Sequence, residues 1–394
     1  METVSLPLSG VRVLEFTHAI MGPMCGLVLA DLGAEVIKIE PAPEGDPTRR
    51  LKGYGVGFFT FFNRNKRSVI VDAKTEQGKA ILEKLLATAD VVVENFAPTT
   101  MERLGLGYRT LSEKYPELIY CSLKGFLPGP YELRPALDEV IQMMAGLAYM
   151  TGPEGQPLRA GTSILDIMGG TYGALGVILA LHERKRTGYG QHVMNGLFET
   201  ASFLMGQHMA QAAISQEPVL PMPGRVSAWA IYRLFKTCEG DFVFIAITSD
   251  RHWERFCRAF TRDDLLQHER IRTNNDRVTA HDWLIPELER MFSSLTKIQI
   301  MRLCEEAEIP FAPVGHAEDL FDDPHLLAGG SLLPIRLQDG NETRLPAIPL
   351  KLGNHVWDLR LQAPLPGEHT RSILNDAGYA PLQIEQLYAL GVIQ

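Results

Sequence analysis

Residues 11–40 read VRVLEFTHAIMGPMCGLVLADLGAEVIKIE and contain a strand, a helix and a second strand. Val11–Phe16 is a short run rich in β-branched residues, and a Gly-Pro break separates it from the helical pattern of Met24–Leu32. Glu35–Glu40 is the second strand. This order and spacing are typical of two parallel strands joined by a helical crossover.

The same alternation continues to about residue 125. Further strands are predicted at Ser68–Asp72, Val91–Phe96 and Leu118–Leu123, and Glu76–Ala89 carries leucine and isoleucine on one helical face. Strands and helices that alternate in this way build a mostly parallel, doubly wound sheet. We therefore predict an α/β fold class with a large Rossmann-like domain.

The remainder of the chain divides at a proline-rich segment. Asp138–Ile214 is helical and apolar, whereas Gln216–Val226 contains three prolines and a glycine, which predicts a linker. A second unit follows, with a strand, then helices, and finally a tail of two short helices. These elements are predicted at Phe242–Thr248, Asp250–Phe260, Trp283–Leu295, Ile298–Ala307, Ser372–Ala377 and Ile384–Leu390.

The composition excludes several classes of function. The 394 residues contain 38 Lys and Arg against 47 Asp and Glu, a net charge of −9, and nucleic-acid and membrane-surface binders need a basic face. The apolar run Gly173–Leu181 is shorter than the roughly 20 residues that span a bilayer. Five scattered cysteines without a CxxC pair, and an N-terminus without a signal-like pattern, predict a reduced cytoplasmic protein. We expect no nucleic acid, membrane or metal partner.

One window of the chain is basic despite the acidic total. Lys38–Lys74 contains eight Lys and Arg against four acidic residues, a local sum of 8 − 4 = +4. This pattern fits either a solvated charged surface or a site for a phosphorylated ligand. The first turn, Thr17–Pro23, has one glycine and no dinucleotide fingerprint, and no P-loop motif occurs.

Asp166 is a lone carboxylate in the segment RAGTSILDIMGG, residues 159–170. An aspartate just before a helix usually caps its N-terminus, and the residues alone favour this interpretation. The alternative is a carboxylate nucleophile whose small neighbours let a bulky thioester approach. His18 lies in the first turn, with either a structural or a functional role. The sequence has no HExxH and no GxSxG motif, which argues against a metal site and a serine hydrolase.

Taken together, these motifs resemble the class III CoA-transferases, the superfamily of formyl-CoA transferase and carnitine CoA-transferase. The resemblance covers essentially the whole chain. The motifs that carry it, in order, are DLGAEVIKIE (31–40), GDPTR (45–49), FNRNKRSVIVDAK (62–74), ADVVVENFAPTTMERLGLGY (89–108), IYCSLKGF (119–126), RAGTSILDIMGGTYGALGVILALHERKRTGYGQHV (159–193) and LPGEHTRSILNDAGY (365–379).

The resemblance implies a discontinuous large domain, residues 1–215 and 340–394, that binds CoA. It also implies a smaller α+β domain at 227–330, with linkers at 216–226 and 331–339. Two identical chains are expected to interlock into a homodimer whose active sites lie between domains and use both subunits.

The resemblance also reverses the interpretation of Asp166, which aligns with the family's catalytic aspartate. The implied mechanism passes through a mixed anhydride and an aspartyl-CoA thioester, with the CoA thioester as substrate and no permanently bound cofactor. Backbone N–H groups near Gly169 and Gly170, or at the helix start, are our candidates for stabilising the oxyanion. The residues implied in CoA binding are Ala19, Ile20, Val71, Lys74, Asn95, Phe96 and Arg103. Of these, Lys74 and Arg103 are expected to meet phosphates, and Phe96 to pack near the adenine.

Two departures from the family pattern concern the acyl pocket, for which we select His18, Leu137 and Gly169. Ile20 replaces a glutamine of formyl-CoA transferase, and Leu137 replaces a tyrosine of many transferases. Both make the pocket more apolar and weaken an expectation of oxalate specificity. We predict CoA transfer from a donor such as succinyl-CoA to a dicarboxylate acceptor, which Arg134, Arg225 and His18 are candidates to hold.

Two alternative functions remain. An α-methylacyl-CoA racemase of the same fold needs a histidine as second base at the position of Leu137, so the residue found here argues against it. A non-catalytic CoA-binding protein is the other alternative, and the retention of Asp166 with its glycines argues against that class.

Overall fold

We describe the protein from a computed structural model, for residues 5–224, 227–337 and 339–394. The chain forms two compact units, one of Met1–Met222 with Pro324–Gln394 and the other of Pro223–Asp323. Arg225 and Val226, at the end of the linker expected at 216–226, lie outside the described residues, as does Gln338. The segment expected as the second linker, 331–339, contains a strand, Leu332–Arg336.

The first part of the larger unit consists of six strands and ten helices. The strands are β1 (Arg12–Phe16), β2 (Glu35–Pro41), β3 (Lys66–Val71), β4 (Val91–Glu94), β5 (Ile119–Lys124) and β6 (His192–Gly196). The helices are α1 (Met21–Asp31), α2 (Phe58–Phe62), α3 (Glu76–Leu86), α4 (Thr100–Arg103), α5 (Tyr108–Lys114), α6 (Asp138–Met144), α7 (Leu147–Thr151), α8 (Ile164–Thr187), α9 (Leu197–Leu204) and α10 (Gly206–Ser215).

The six strands form one parallel sheet in the order β3-β2-β1-β4-β5-β6. The predicted parallel α/β layer is confirmed, and β6 is an additional strand. Neighbouring residues of β1 point to opposite faces of the sheet, as pleating requires. Val13 contributes to the hydrophobic core on the α1 and α8 face, whereas Leu14 belongs to the core on the α3 face. Burial on both faces explains why these strands are almost continuously apolar.

Helix α8 packs against α1 at a distance that only glycine permits. A Cβ atom at Gly170 would lie 2.4 Å from the carbonyl oxygen of Met21 and 3.0 Å from the backbone nitrogen of Cys25. Three residues on, a Cβ at Gly173 would lie 3.4 Å from Cys25 Sγ, so the two helices run in the same direction. Their N-termini therefore lie together at one edge of the sheet.

By length and composition alone, α8 is the one helix in the described part of the chain that qualifies to cross a membrane. Here it is a core helix. Ala174 and Val177 are fully buried in the hydrophobic core that α8 shares with α1 and the sheet. The close packing accounts for its apolar, glycine-rich sequence.

The smaller unit has its own core. Its strands are β7 (Ile231–Lys236), β8 (Phe242–Ile247) and β9 (Phe311–Pro313), which pair antiparallel, and its helices are α11 (Asp250–Ala259), α12 (Asp263–Leu266), α13 (Asn274–Thr279), α14 (His281–Phe292) and α15 (Lys297–Glu306). The aromatic rings of Phe235 and Phe292 lie 4.5 Å apart between β7 and α14. The predicted elements of this region are present, and β7 and β9 are additional.

The C-terminal part returns to the larger unit. It consists of α16 (Pro324–Ala328), the antiparallel pair β10 (Leu332–Arg336) and β11 (Glu342–Pro346), and the helices α17 (Thr370–Asp376) and α18 (Pro381–Ala389). Ile373 and Ile384 enter the α3-side core. The last residues lie beside the end of β3, where Ile393 forms a β-bridge with Val71 and Asp72 N donates to Val392 O (2.8 Å).

Candidate active site

The candidate site begins where the order of strands reverses, between β1 and β4. Open α/β sheets bind ligands in the crevice that forms at the carboxyl ends of such strands. His18 and Ala19 follow β1 at this edge, and Asn95 and Phe96 follow β4. The structure thus brings four of the predicted residues together, and the rings of His18 and Phe96 stack with centroids 5.7 Å apart.

The side-chain amide of Asn95 holds the first turn in place. Its Oδ1 accepts from His18 N (3.0 Å) and its Nδ2 donates to His18 O (2.9 Å). The next residue, Ala19, adopts the left-handed conformation at φ 61°, which is uncommon for a residue other than glycine. Its backbone N–H donates to Thr48 Oγ1 (2.9 Å). Asn95 therefore positions the turn with its side chain, and the CoA contact expected of it stays a prediction.

Two fully buried lysines lie beneath the turn. Lys38 Nζ donates to the carbonyl oxygen of Thr17 (2.8 Å), and Lys66 Nζ donates to that of Pro23 (2.9 Å). Both ammonium groups pair with the buried carboxylate of Glu15, at 3.4 Å and 2.8 Å respectively. Burial lowers the pKa of Lys66 to about 8 in spite of the Glu15 charge. The ion pairs hold both ends of the turn from below.

These pairs also correct the interpretation of the basic window. Six of its eight cations form ion pairs with side chains of the same unit, five of them in buried or half-buried pairs: Lys38, Arg49, Arg64, Lys66 and Arg67. Arg50 pairs with Glu44 at the surface, and Lys52 and Lys74 are exposed. Several partners lie outside the window, such as Glu15 for Lys66 and Asp31 for Arg64. The net charge of +4 in this window therefore does not correspond to one basic surface of the protein.

The other predicted CoA residues lie along the same edge of the sheet. Lys74 is exposed after β3, and its backbone N–H donates to Asp72 Oδ1 (3.0 Å). Arg103 is exposed at the end of α4, and its guanidinium donates to Thr100 Oγ1 (3.2 Å). The side chains of Ile20 and Val71 are buried in hydrophobic clusters, so they offer a ligand backbone atoms alone.

Asp166 lies in the first turn of α8, whose N-cap residue is Ser163. The capping interpretation of Asp166 is therefore wrong. Its side chain is partly buried, and its carboxylate has no hydrogen bond or ion pair with any other described residue. Burial, then the charges of Asp138 and Glu139, raise the pKa of Asp166 to about 7. An unpaired carboxylate with so high a pKa is typical of a functional group.

The N-terminus of α8 is capped by Asp138, which sequence reasoning did not select. Asp138 Oδ2 accepts from the backbone N–H groups of Leu165 (2.7 Å) and Asp166 (3.0 Å). The N–H groups of Gly169 and Gly170 lie within α8, where the helical ladder uses them. The N–H groups expected to stabilise an oxyanion thus have internal hydrogen-bond partners in this structure, and that role stays a prediction.

The residues expected in the substrate pocket lie in different environments. Leu137 is 68% exposed immediately before α6. Gly169 is buried where α8 packs on α1, and a Cβ there would lie 2.5 Å from Met21 Cε. Burial, aided by Lys38 and opposed by Asp46, lowers the pKa of His18, so its imidazole is neutral at pH 7. Arg134 is exposed over the ring of Tyr131, 5.0 Å from its centroid, and Arg225 lies outside the described residues.

The described residues contain no group of three or more His, Cys, Asp or Glu side chains placed to hold a metal ion. All five cysteines are free thiols, and four of them are buried. The side chains that the candidate site offers are the unpaired carboxylate of Asp166 and the imidazole of His18. This donor set suits acyl chemistry on an organic substrate.

Comparisons with known proteins agree with this chemistry. Succinate–glutarate CoA-transferase of Agrobacterium fabrum is 33% identical over 386 residues, which cover 93% of this chain and 95% of that protein. The β subunit of succinyl-CoA–L-malate CoA-transferase of Chloroflexus aurantiacus is also 33% identical, and the match covers 99% of this chain and 99% of that protein. The crystal structure of a CaiB/BaiF family protein from Brucella suis superimposes with a TM-score of 0.84 at 31% identity, over 95% of this chain and 100% of that one.

The family model for CoA-transferase family III matches residues 8–370. That span includes the first turn, Asn95, Asp138 and Asp166, and it extends to the start of α17. The resemblance inferred from the sequence motifs is thereby confirmed. The chain is a transferase that belongs to CoA-transferase family III.

Proposed function

We propose that the protein transfers CoA from an acyl-CoA donor to a carboxylic acid acceptor, with Asp166 as the nucleophile. The observation that carries this proposal is the unpaired Asp166 carboxylate, with a pKa of about 7, at the N-terminus of α8. Close packing of α8 on α1 brings the N-terminal part of α8 against Met21, where α1 begins after the turn at the strand-order reversal. Positioning of this kind compensates for the weak nucleophilicity of a carboxylate.

The proposed reaction has two symmetric halves. An Asp166 oxygen attacks the thioester carbonyl, and CoA leaves as a thiolate to give a mixed anhydride. The thiolate then attacks the aspartyl carbonyl, which releases the donor acid and leaves an aspartyl-CoA thioester. An acceptor carboxylate attacks this thioester to form the second anhydride. The thiolate takes the acceptor acyl group, and the Asp166 carboxylate is restored.

The carboxyl edge of the sheet supplies the groups proposed to bind CoA. Backbone atoms of Ala19, Ile20 and Val71 line it, and Phe96 presents an aromatic ring beside His18. The exposed cations of Lys74 and Arg103 suit the CoA phosphates, because charge-assisted hydrogen bonds to phosphate are strong. These side chains reach solvent, whereas most cations of the 38–74 window are paired.

A dicarboxylate acceptor, with succinyl-CoA as a donor, fits the site best. The relatives named above act on succinate and glutarate or on succinyl-CoA and L-malate. Arg134 is an exposed guanidinium that can receive a second carboxylate. The neutral imidazole of His18 contributes a hydrogen bond rather than an ion pair.

A homodimer, interlocked as the family resemblance implies, is part of the proposal. Large apolar side chains lie exposed on α8, α9 and α10 of the larger unit: Leu175, Leu179, Phe203, Met209 and Ile214. Large exposed apolar side chains on consecutive helices are typical of a protein interface when they share one surface. A second copy of the chain is the proposed partner. Light scattering coupled to size exclusion measures its mass, and a monomer at micromolar concentration would contradict this part of the proposal.

The two alternative functions predict different behaviour of the same site. A racemase needs a second base opposite Asp166, and the side chain at position 137 is leucine, which cannot accept a proton. A non-catalytic CoA-binding protein has no use for an unpaired buried carboxylate, which is costly to maintain. Both observations favour transfer.

Intact-mass spectrometry after incubation with succinyl-CoA tests the proposal. We expect an adduct of one CoA on the wild-type chain, absent from Asp166→Asn and discharged when a dicarboxylate is added. Succinate and glutarate are the first acceptors to try, with acetate as the monocarboxylate control. Full transfer activity in Asp166→Ala would contradict the proposal. Deuterium incorporation at the acyl Cα without an adduct would support the racemase instead.

A further inference from the structure

We infer that Asp138 is a positioning residue for the nucleophile, holding the first turn of α8 from a different helix. The inference rests on the proposed function of Asp166. Asp138 is the first residue of α6 and is 3% exposed. It stands 28 residues before the aspartate whose backbone it binds.

Both oxygens of the Asp138 carboxylate are engaged. Oδ2 accepts from Leu165 N (2.7 Å) and Asp166 N (3.0 Å), two of the N–H groups that a helix start leaves without an internal partner. The Ser163 side chain, in the usual capping position, makes no capping hydrogen bond. The cap of the nucleophile's helix is therefore supplied from α6.

A second contact ties the same two segments together. Asp138 Oδ1 accepts from the side-chain amide of Gln142, one turn further along α6. Gln142 Oε1 in turn accepts from Ala160 N (2.8 Å), and Gln142 is fully buried. Helix α6 thus holds the segment before α8 and the first turn of α8 at once. This arrangement fixes the backbone from which the Asp166 side chain projects.

The charge of Asp138 also acts on Asp166 directly. The two acidic residues whose charges reach Asp166 are Asp138 and Glu139. Glu139 is paired with Arg159 (2.7 Å), whereas none of the described cations pairs with Asp138. A nearby like charge disfavours ionisation, and a more basic carboxylate is a better nucleophile once ionised. Asp138 therefore orients Asp166 and sets its basicity.

The test compares Asp138→Asn and Asp138→Ala with Glu139→Gln in the full-length chain. The readout is the single-turnover rate of CoA-adduct formation on Asp166 from succinyl-CoA, measured as a function of pH. Asp138→Asn keeps an oxygen for the two N–H groups but removes the charge. We expect the midpoint of its pH profile to fall by about 1 unit. Glu139→Gln should move the midpoint less, because that charge is already neutralised by Arg159.

Asp138→Ala removes the cap as well as the charge. We expect the rate of CoA-adduct formation that it reaches at high pH, the plateau rate, to fall about 10-fold to 100-fold. The KM for succinyl-CoA should change little, because a misoriented Asp166 carboxylate slows the chemical step rather than binding. In Asp138→Asn the new amide meets the Gln142 amide, so Asp138→Asn/Gln142→Glu restores complementary hydrogen bonding. The unfavourable contact should lower the high-pH rate of Asp138→Asn, and the double variant should recover it.

The outcomes separate this inference from the proposed function. The positioning role of Asp138 would be overturned by two results together. These are an unchanged pH midpoint of adduct formation in Asp138→Asn and an unchanged rate of adduct formation in Asp138→Ala. If Asp138→Ala does not fold, the pH midpoint of Asp138→Asn decides. An adduct that persists in Asp166→Asn would instead overturn the proposed nucleophile, whatever the Asp138 variants do.

Discussion

Asn95 binds both backbone polar groups of His18, accepting from its N–H at 3.0 Å and donating to its carbonyl at 2.9 Å. One side chain from the end of β4 thereby fixes the turn that follows β1. The next residue, Ala19, is held in a left-handed conformation that an alanine rarely adopts. The turn is therefore shaped by the protein's own contacts, and the thioester that we propose to bind there would not have to order it.

Replacement of Asn95 by leucine should release the turn. We expect kcat/KM for succinyl-CoA to fall about 10-fold to 100-fold, because two part-buried hydrogen bonds are lost together. Steady-state kinetics with varied succinyl-CoA measures the effect. Asn95→Asp is the matched control, since it keeps the acceptor for His18 N and loses the donor, and it should fall in between. Wild-type kinetics in Asn95→Leu would contradict the claim that the Asn95 side chain fixes the turn after β1.

Asp166 should reduce the stability of the fold at alkaline pH. Its pKa is raised from the ordinary value to about 7, so the folded state favours the protonated acid. The stability that comes from this preference for the protonated acid is fully present below about pH 4. It is lost as the pH rises through 7. Asparagine at position 166 is neutral at every pH. At pH 8 the free energy of unfolding of Asp166→Asn should therefore be about 1–3 kcal/mol higher than that of the wild type.

Urea denaturation at pH 4.5 and pH 8 measures that difference. The gain should shrink towards the lower pH, where the wild-type side chain is itself protonated. An equal gain at both pH values would show that the pKa of Asp166 is not raised.

Gly170→Ala should separate α8 from α1. The added Cβ would lie 2.4 Å from a backbone oxygen of α1, and backbone atoms cannot rotate away as a side chain can. We expect a loss of about 2 kcal/mol in the free energy of unfolding, together with a fall in CoA-adduct formation. Gly161→Ala is the control, because a Cβ there meets nothing within 4 Å. Equal stability of the two variants would contradict the packing argument.

The buried pair of Glu15 and Lys66 should show strong coupling. Lys66→Met leaves part of the Glu15 charge uncompensated, which typically costs about 3–5 kcal/mol. Glu15→Gln/Lys66→Met removes both charges of the pair and should be less destabilised than Lys66→Met alone. Thermal and urea unfolding of the single and double variants completes the cycle. Additive losses would show that the two charges do not interact.

Much of the fold follows from local pattern. Strands β1 to β5 are predictable because burial on both faces requires nearly continuous apolar residues. Strand β6 has the sequence HVMNG, in which four of five residues are only partly buried, so no apolar run marks it. The family motifs identify Asp166 where local pattern favours a helix cap.

What the sequence conceals are contacts between distant residues. Asp138 caps the N-terminus of α8 by accepting from the backbone N–H of Asp166, and no pattern in the intervening 27 residues predicts this contact. In the same way, Arg64 in the basic window is neutralised by Asp31, which lies outside the window. A sum of charges over a window describes surface potential only when the partners are local, and here they are not.

The last residues of the chain complete the β3 edge of the sheet, where Gln394 N approaches Ile70 O and Thr370 Oγ1 donates to Gln394 O. During synthesis these contacts can form only after residues 392–394 have been made, long after β3 itself has emerged. The smaller unit, Pro223–Asp323, is continuous in sequence and has its own core, so it can fold first. Until these contacts form, this part of β3 is an unpaired edge that can pair with strands of other chains. Truncation before residue 392 would therefore leave the β3 edge unpaired, and we expect such a chain to aggregate through that edge.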